Sequence, residues 1–495
     1  MASQPCGMTG STRKGTDMPT KVSTKAATTA IDPVAVTAAI MEETPELANP
    51  LLARGVISQA EDGTINISGT TETIHQIGDY ILNFTPATNA YLNALVNRIG
   101  FVIISSKMYT NPWSVFKKGR LEFGETVEEI FVNLARPFQF SPSKAEQDVF
   151  KRTIPDVRAA FHTMNFQKYY PITISDDQLR QAFLSWQGIT DLIAAIVESV
   201  YASAQTDEYL VMKYMLARAV LNGNIEGVSV PAANKENAVD VATVFRKMSR
   251  LLRFQSNKFT MSGVTTHTDI DDQYLIITAD FEAVMDLNVL AAAYNLEYAD
   301  FMGHVIGVDS FVDMDWQRLT DLFTDENGNV DPSFAPWTED EITILNGVPA
   351  LMTSIDFWQV WDNFEKMTEN YNGKGLYWNY NYHVWKTFSI SPFAQAIAYS
   401  DVAAGITSVT VTPTTATLPV GADLQLSVAV VGTGVINKGV QWDMTGNKST
   451  GSYVSDAGKV HVAKNETAAT LTVKATSIAD STKSGTSTIA VSTGA

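Results

Sequence analysis

The sequence predicts an α+β body of about 400 residues followed by an all-β sandwich. Three observations carry this. Up to about Tyr399, helical and strand-like apolar periodicities follow one another without the regular strand–helix–strand alternation of a parallel sheet. From Asp401 onward phenylalanine vanishes and threonine abounds. There, short alternating runs (Leu424, Leu426, Val428, Val430; Leu471, Val473; Ile489, Val491) are separated by turn residues, as an immunoglobulin-like sandwich requires.

Residues 1–90 are expected to be a flexible N-terminal arm with a leading helix. Met1 to Ala30 is rich in Thr, Ser, Ala and Lys and lacks the apolar centre of a signal peptide. Val34, Val36, Ala39 and Ile40 fit a helix, and a loop rich in Pro, Asn and Gly follows. Apolar periodicity returns at Asn89 to Val96, and Ile99 with Phe101 to Ile104 reads as a buried strand. Ser105 to Leu134 alternates, is broken at Asn111-Pro112 and at Gly119, and carries Lys117, Lys118 and Arg120; it reads as a long two-stranded excursion, placing an extended loop at 91–140.

Within the body at 141–400, a long helix is expected from an N-cap at Thr190, through Ile193, Ile196, Val197, Val200, Tyr201 and Ala204, to Asn222 and a stop at Gly223. It would be about 50 Å long at 1.5 Å per residue. Asp240 to Arg253 forms a basic amphipathic helix, and Tyr274 to Thr278 followed by Asp280 to Tyr294 reads as strand then helix. The aromatic cluster Tyr371, Tyr377, Trp378, Tyr380, Tyr382 and Trp385 precedes a strand from Lys386 to Tyr399 that closes the body. Residues 401–495 fit one sandwich with Trp442 in its core, and it is expected to fold on its own.

The formal net charge is -18, and all of the excess lies before Asp401, where 47 acids face 29 bases; from Asp401 onward there are 6 of each. An acidic body is a poor nucleic-acid binder, since binding needs a cationic footprint. The single cysteine, Cys6, excludes an intramolecular disulfide or a cysteine metal cluster and fits a reducing compartment. No apolar run reaches the 18 residues of a membrane span. Six scattered histidines, with no G-x-S-x-G or P-loop pattern, offer no catalytic arrangement, so the site residues are catalytic none and metal none. His267, Asp269, Asp271 and Asp272 read as a solvated turn. Asp325 to Asp331 alternates oxygen donors as a calcium loop does, but its glycine is at the fourth position and no Glu is at the twelfth, so a glycine-turned hairpin is preferred. The aromatic cluster is read as core or interface rather than a stacking platform.

Val409, Val411, Pro413, Ala416, Leu418, Val420, Gly421, Leu426, Val440, Trp442, Asp456, Gly458 and Val460, with a finish through Ile489 and Val491, resemble the bacterial group 2 immunoglobulin-like (BIG2) domain. Three stretches of the body resemble the major capsid protein of phi29-like short-tailed bacteriophages. They are Leu95 to Gly100 through Phe116 to Arg120 and Glu125 to Ile130; Ala145 to Phe150 with Ala182 to Trp186; and Gly375 to Tyr380 with His383 to Trp385. Order and spacing hold over roughly Leu92 to Tyr399, and that family also ends in a BIG2 domain.

The resemblance implies a Hong Kong 97-type (HK97-like) capsid fold. Its extended loop would be about Arg98 to Phe138, its spine helix would lie within Asp191 to Asn222, and its axial domain would fall between about Val239 and Glu365. The expected function is a major capsid protein that self-assembles into an icosahedral or prolate shell enclosing packaged phage double-stranded DNA. The expected partners are copies of itself in hexamers and pentamers, a scaffolding protein, and the portal or connector, with no cofactor and no membrane. Assembly is expected in the host bacterial cytoplasm, with Lys117, Lys118 and Arg120 on the extended loop contacting a neighbouring capsomer. The rivals are a bacterial surface adhesin or surface-layer protein, against which stand the missing signal peptide and wall anchor, and a nanocompartment shell, against which stands the sandwich.

Overall fold

The computed structural model describes residues 33–83, 110–121, 126–135, 156–186, 196–232, 237–285 and 304–492, apart from single positions, with a few more between 86 and 95 and between 188 and 192. The arm with Cys6, the strand expected at Ile99 to Ile104, the Ala145 to Phe150 motif and the helix start at Thr190 and Asp191 lie outside the described residues. The chain forms two compact units, one from 1–108 with 175–197 and one from 109–174 with 198–495.

In the first unit, α1 (Pro33–Glu43) and α2 (Pro45–Ala53) both begin on proline, whose missing N–H is needed least at a helix start. A small hairpin of β1 (Ser58–Gln59) and β2 (Ile65–Asn66) leads to α3 (Thr71–Asn83). Two helices thus stand where the sequence suggested a loop. Ile74, Ile77 and Ile81 give α3 a buried stripe, and Gly78 lets Phe183 close on it, since a Cβ there would sit 2.8 Å from the Phe183 Cβ. Ser175 and Gln178 form a capping box at α4 (Asp176–Ala182).

In the second unit, two sheets and a long buried helix form the centre of the body. β3 (Lys117–Arg120), β6 (Phe166–Ser175), β11 (Trp358–Asn372) and β12 (Tyr377–Ile390) make a four-stranded sheet in the order β3-β11-β12-β6. β7 (Glu226–Ser229), β8 (Gln273–Thr278), β9 (Val305–Val308), β10 (Ala350–Ser354) and β13 (Ala396–Ser400) make a mixed sheet in the order β7-β13-β10-β8-β9. A π-helical turn at Val197–Ala202 leads into the spine helix α5 (Ser203–Leu221), whose 19 residues span about 28 Å. It ends as expected at Asn222 and at Gly223, whose φ of +76° suits glycine. α6 (Ala238–Leu252) is the basic helix, burying Val241, Ala242, Phe245 and Met248. α7 (Ala279–Val284) begins after β8 with Thr278 as its N-cap, and its expected continuation to Tyr294 is outside the described residues. Two further short helices are α8 (Trp316–Leu322) and α9 (Glu339–Asn346).

Two strand readings are corrected. The aromatic cluster lies in the β11–β12 hairpin itself, and the strand expected from Lys386 to Tyr399 is two strands in different sheets. Ser391 and Pro392 part them, because proline donates no ladder hydrogen bond. Among the described residues of Ser105 to Leu134, the two strands do not pair with each other. β3 pairs in parallel with β11, whereas β4 (Thr126–Val132) pairs with β5 (Val157–Thr163), a segment the sequence reading passed over.

Residues 405–492 form the expected all-β sandwich, with β14 (Gly405–Thr412), β15 (Thr415–Pro419), β16 (Asp423–Gln425), β17 (Ser427–Thr433), β18 (Val440–Thr445), β19 (Tyr453–Val454), β20 (Lys459–His461), β21 (Thr470–Ser477) and β22 (Ser484–Ser492). Val411, Leu426, Val460, Val462, Leu471, Val473, Ala475 and Ile489 fill its core. Trp442 packs against that core half-buried. It lies over Gly458, where a Cβ would fall 2.8 Å from the indole Cζ2, so a side chain there would push the ring away. The sandwich packs closely on the body. Val435 is buried in the core cluster of the spine helix, and Gly227 of β7 has room only for hydrogen, since a Cβ would sit 1.8 Å from the Val435 carbonyl oxygen.

Candidate functional site

The β4–β5 ribbon has two unlike faces, because residues directly opposite on an antiparallel pair share a side. Glu128 faces Phe161, Ile130 faces Ala159 and Val132 faces Val157, and this side points to solvent. Ile130 and Val132 are each 59% exposed, Val157 52% and Phe161 64%. The opposite side carries Val127 with His162, Glu129 with Ala160 and Phe131 with Arg158, and it is tied to the body. His162 is buried, with Nδ1 2.8 Å from Ser389 Oγ and Nε2 3.1 Å from Glu129 Oε2. Glu129 Oε1 accepts a 2.8 Å bond from Ser391 Oγ, and Phe131 stacks on Phe393 at 5.5 Å. Polar groups therefore hold the ribbon from beneath, and its four large apolar side chains face outward. A two-stranded ribbon is marginal alone, and a contiguous exposed apolar face of this kind marks an interaction surface.

Lys117 and Lys118 are not on that ribbon. Lys117 Nζ is 2.7 Å from Asp362 Oδ2 and 3.1 Å from Glu208 Oε2, and Lys118 Nζ is 2.7 Å from Asp356 Oδ1. Both are engaged within the chain, while Arg120, at the end of β3, is exposed. They sit in the body because Val360, Trp361 and Asp362 of β11 take β3 as a parallel neighbour.

Lys117 belongs to an ionic network around the spine helix, which is buried on nearly all sides yet carries Asp207, Glu208 and Lys213 inside. Glu208, 1% exposed, accepts from Lys386 Nζ, from Lys117 Nζ and, at 2.7 Å, from Asn111 Nδ2. Lys386 also reaches Asp362 Oδ1 at 2.6 Å. Burial alone would lower the Lys386 pKa, but Glu208 and Asp362 hold it above the ordinary lysine value. Burial would likewise raise Asp362, and the two lysines hold it below the usual carboxylate range. Asp207 pairs with Arg318 and accepts from Tyr170 OH at 2.7 Å. Lys213 Nζ lies 2.6 Å from Asp309 Oδ1 and 2.6 Å from the Asp313 carbonyl. Arg218 Nη1 reaches Glu341 Oε1 at 2.6 Å, with its guanidinium 4.6 Å from the Trp337 ring.

Buried charges cost desolvation unless matched, and here partners on β3, β12, α8, α9 and the segment after β9 match those of the helix. Among the described residues no group of three or more His, Cys, Asp or Glu is arranged to hold a metal. The Asp325 loop is a closed turn: Asp325 Oδ1 accepts from the backbone of Asn327 and Asn329, and Gly328 has a φ of +83°.

Against known proteins, the family model described as phi29-like phage major capsid protein matches residues 61–400. The major capsid protein of Bacillus phage B103 is 34% identical over 413 residues, covering 82% of this chain and 84% of that protein. The chain belongs to the phi29-like phage major capsid protein family. The major capsid protein of Bacillus phage PZA is 33% identical with the same coverage. The solved capsid structure of Staphylococcus phage Andhra aligns at 17% identity and a TM-score of 0.46, covering 59% of this chain and 85% of that one. As a phage major capsid protein the chain self-associates and is a component of the virion shell. Sequence reasoning pointed to Lys117, Lys118 and Arg120, but missed the ribbon partner β5 and the spine network. The signal for the network was present, since Asp207, Glu208 and Lys213 fall among the apolar residues of this helix.

Proposed function

We propose that the subunit assembles through the outward face of the β4–β5 ribbon, docking it on a second copy to build hexamers and pentamers of an icosahedral or prolate head. The observation that carries this is the ribbon's inverted amphipathicity, with polar anchors inside and Ile130, Val132, Val157 and Phe161 outside. Arg120, exposed at the end of β3, is a further contact in this reading, and Lys117 and Lys118 act within the subunit. The shell forms in the host bacterial cytoplasm with a scaffolding protein and a portal, and it encloses double-stranded DNA without specific binding. The net charge of -18 supports this, because an acidic wall lets DNA slide. The sandwich is read as a BIG2 module on the outer surface, and the protein as having no enzymatic activity.

The test is the full chain with Ile130→Glu and Phe161→Glu. Each change is at an exposed site, so folding followed by circular dichroism is expected to be unchanged, while sedimentation and negative-stain microscopy show loss of shells. Normal shells from this variant would refute the ribbon as the assembly surface.

A further inference from the structure

Among the described residues an ion pair joins the sandwich to the ribbon. Arg158 of β5 lies on the inward side of the ribbon, and its Nε is 3.2 Å from Asp456 Oδ2 in the loop between β19 and β20. The same guanidinium donates through Nη1 to the Ser262 carbonyl at 2.8 Å and through Nη2 to Asp156 Oδ2 at 3.3 Å. Arg158 is thus a three-way tie among ribbon, body and sandwich, with its side chain only 14% exposed. Arginine suits this, since its planar fork carries five donors in fixed directions.

The sandwich end of that tie is itself firmly seated. Val435 is buried in the body core, Asn437 Nδ2 donates to the Thr260 carbonyl at 3.1 Å, and the Lys438 amide donates to the Gly223 carbonyl at 2.7 Å. Lys438 Nζ donates to the Leu221 carbonyl at 3.2 Å, so a cation from the sandwich caps the C-terminus of the spine helix, where the helix dipole favours positive charge. Gly439 lies so close to the body that a Cβ would be 2.4 Å from the Met261 carbonyl oxygen, one residue from the Ser262 that holds Arg158. Asp456 is therefore presented to the ribbon from a rigid platform.

We propose that the terminal sandwich is an internal brace for the assembly ribbon: seated on the spine helix by residues 435–439, it uses Asp456 to fix Arg158 and so sets the angle at which the ribbon offers its apolar face. This rests on the ribbon being the assembly surface. Asp456 is a positioning residue, acting through Arg158 and touching no second copy in this role.

The experiment compares full chains carrying Asp456→Ala, Arg158→Ala, both changes together, and the charge-swapped pair Arg158→Asp with Asp456→Arg. Amide hydrogen exchange across 126–132 and 157–163 reads the brace. In Asp456→Ala it is expected to rise about two- to five-fold in the ribbon, the range of a partly exposed ion pair, with exchange in the spine helix unchanged. Arg158→Ala is expected to raise ribbon exchange further, since it also removes the bonds to Ser262 and Asp156, Asp456→Ala is expected to add little once Arg158 is gone, and the swapped pair is expected to recover part of the protection. Raising salt is expected to speed ribbon exchange in the natural chain and not in Asp456→Ala. The concentration at which shells form, read by light scattering, is expected to rise with ribbon exchange. Unchanged ribbon exchange in Asp456→Ala, or full additivity of the two alanine changes, would overturn the brace. Faster ribbon exchange with unaltered assembly would support the brace and overturn the ribbon as the assembly surface.

Discussion

Replacing Lys386 by methionine removes one cation from a buried cluster of two lysines and two carboxylates while keeping the length of the side chain. Lys386 is 3% exposed and Glu208 1%, so water does not reach in to replace the ammonium. Lys117 remains, 3.1 Å from Glu208 and 2.7 Å from Asp362, but it must now serve both carboxylates, and the cluster is left with one net negative charge. Breaking a buried pair by removing one partner costs about 3–5 kcal/mol, and the remaining lysine places this case near 3 kcal/mol. Adding Glu208→Gln restores neutrality and keeps an acceptor for Asn111 Nδ2, so the double variant is expected to lose only about 1–2 kcal/mol. Denaturant unfolding of unassembled full-length chains, run as a double-mutant cycle, measures both values. A Lys386→Met variant within 1 kcal/mol of the natural chain, or a double variant as unstable as the two singles added together, would refute the view that charge balance around the spine helix matters.

Glu466 lies in a nest of donors, accepting from Ser452 Oγ at 2.7 Å and from the backbone of Lys448, Ser449, Thr467 and Ala468. Burial opposes the charge, but these donors hold its pKa down to about 2, so its stabilisation is complete above the ordinary value of 4.5 and is lost as pH falls from there towards about 2. Glu466→Gln is expected to cost about 1–3 kcal/mol at neutral pH and to flatten the acid limb of the unfolding curve between pH 4.5 and 2, as fluorescence-monitored titration would show. Gly227→Ala forces a methyl group against the Val435 carbonyl and is expected to cost about 3 kcal/mol, at the top of the overpacking range, while exposing the 433–439 loop to protease; unchanged proteolysis would contradict the seating of the sandwich on the body.

By itself the sequence determined the local elements and the family. Helix α6, strand β8, the end of the spine helix at Gly223 and the short alternating strands of the sandwich follow from periodicity and from stop signals, which act within a few residues. The α+β body followed by an all-β domain was legible for the same reason, and three motifs in register were enough to place the chain among phi29-like capsid proteins. Only the tertiary structure decided which strands pair. Lys117 to Arg120 and Thr126 to Val132 are close in sequence, yet one joins β11 and the other β5, because pairing is chosen by which partner buries or satisfies each face and no local pattern encodes that choice. The same limit hid the partners of Glu208, which lie at positions 111, 117 and 386. It also hid the seating of the sandwich, since Val435 reads as an ordinary loop residue until the fold brings it to Gly227 and the core around the spine helix. Long-range packing converts a solvent-facing pattern into a buried one, and it leaves the ribbon's apolar face exposed.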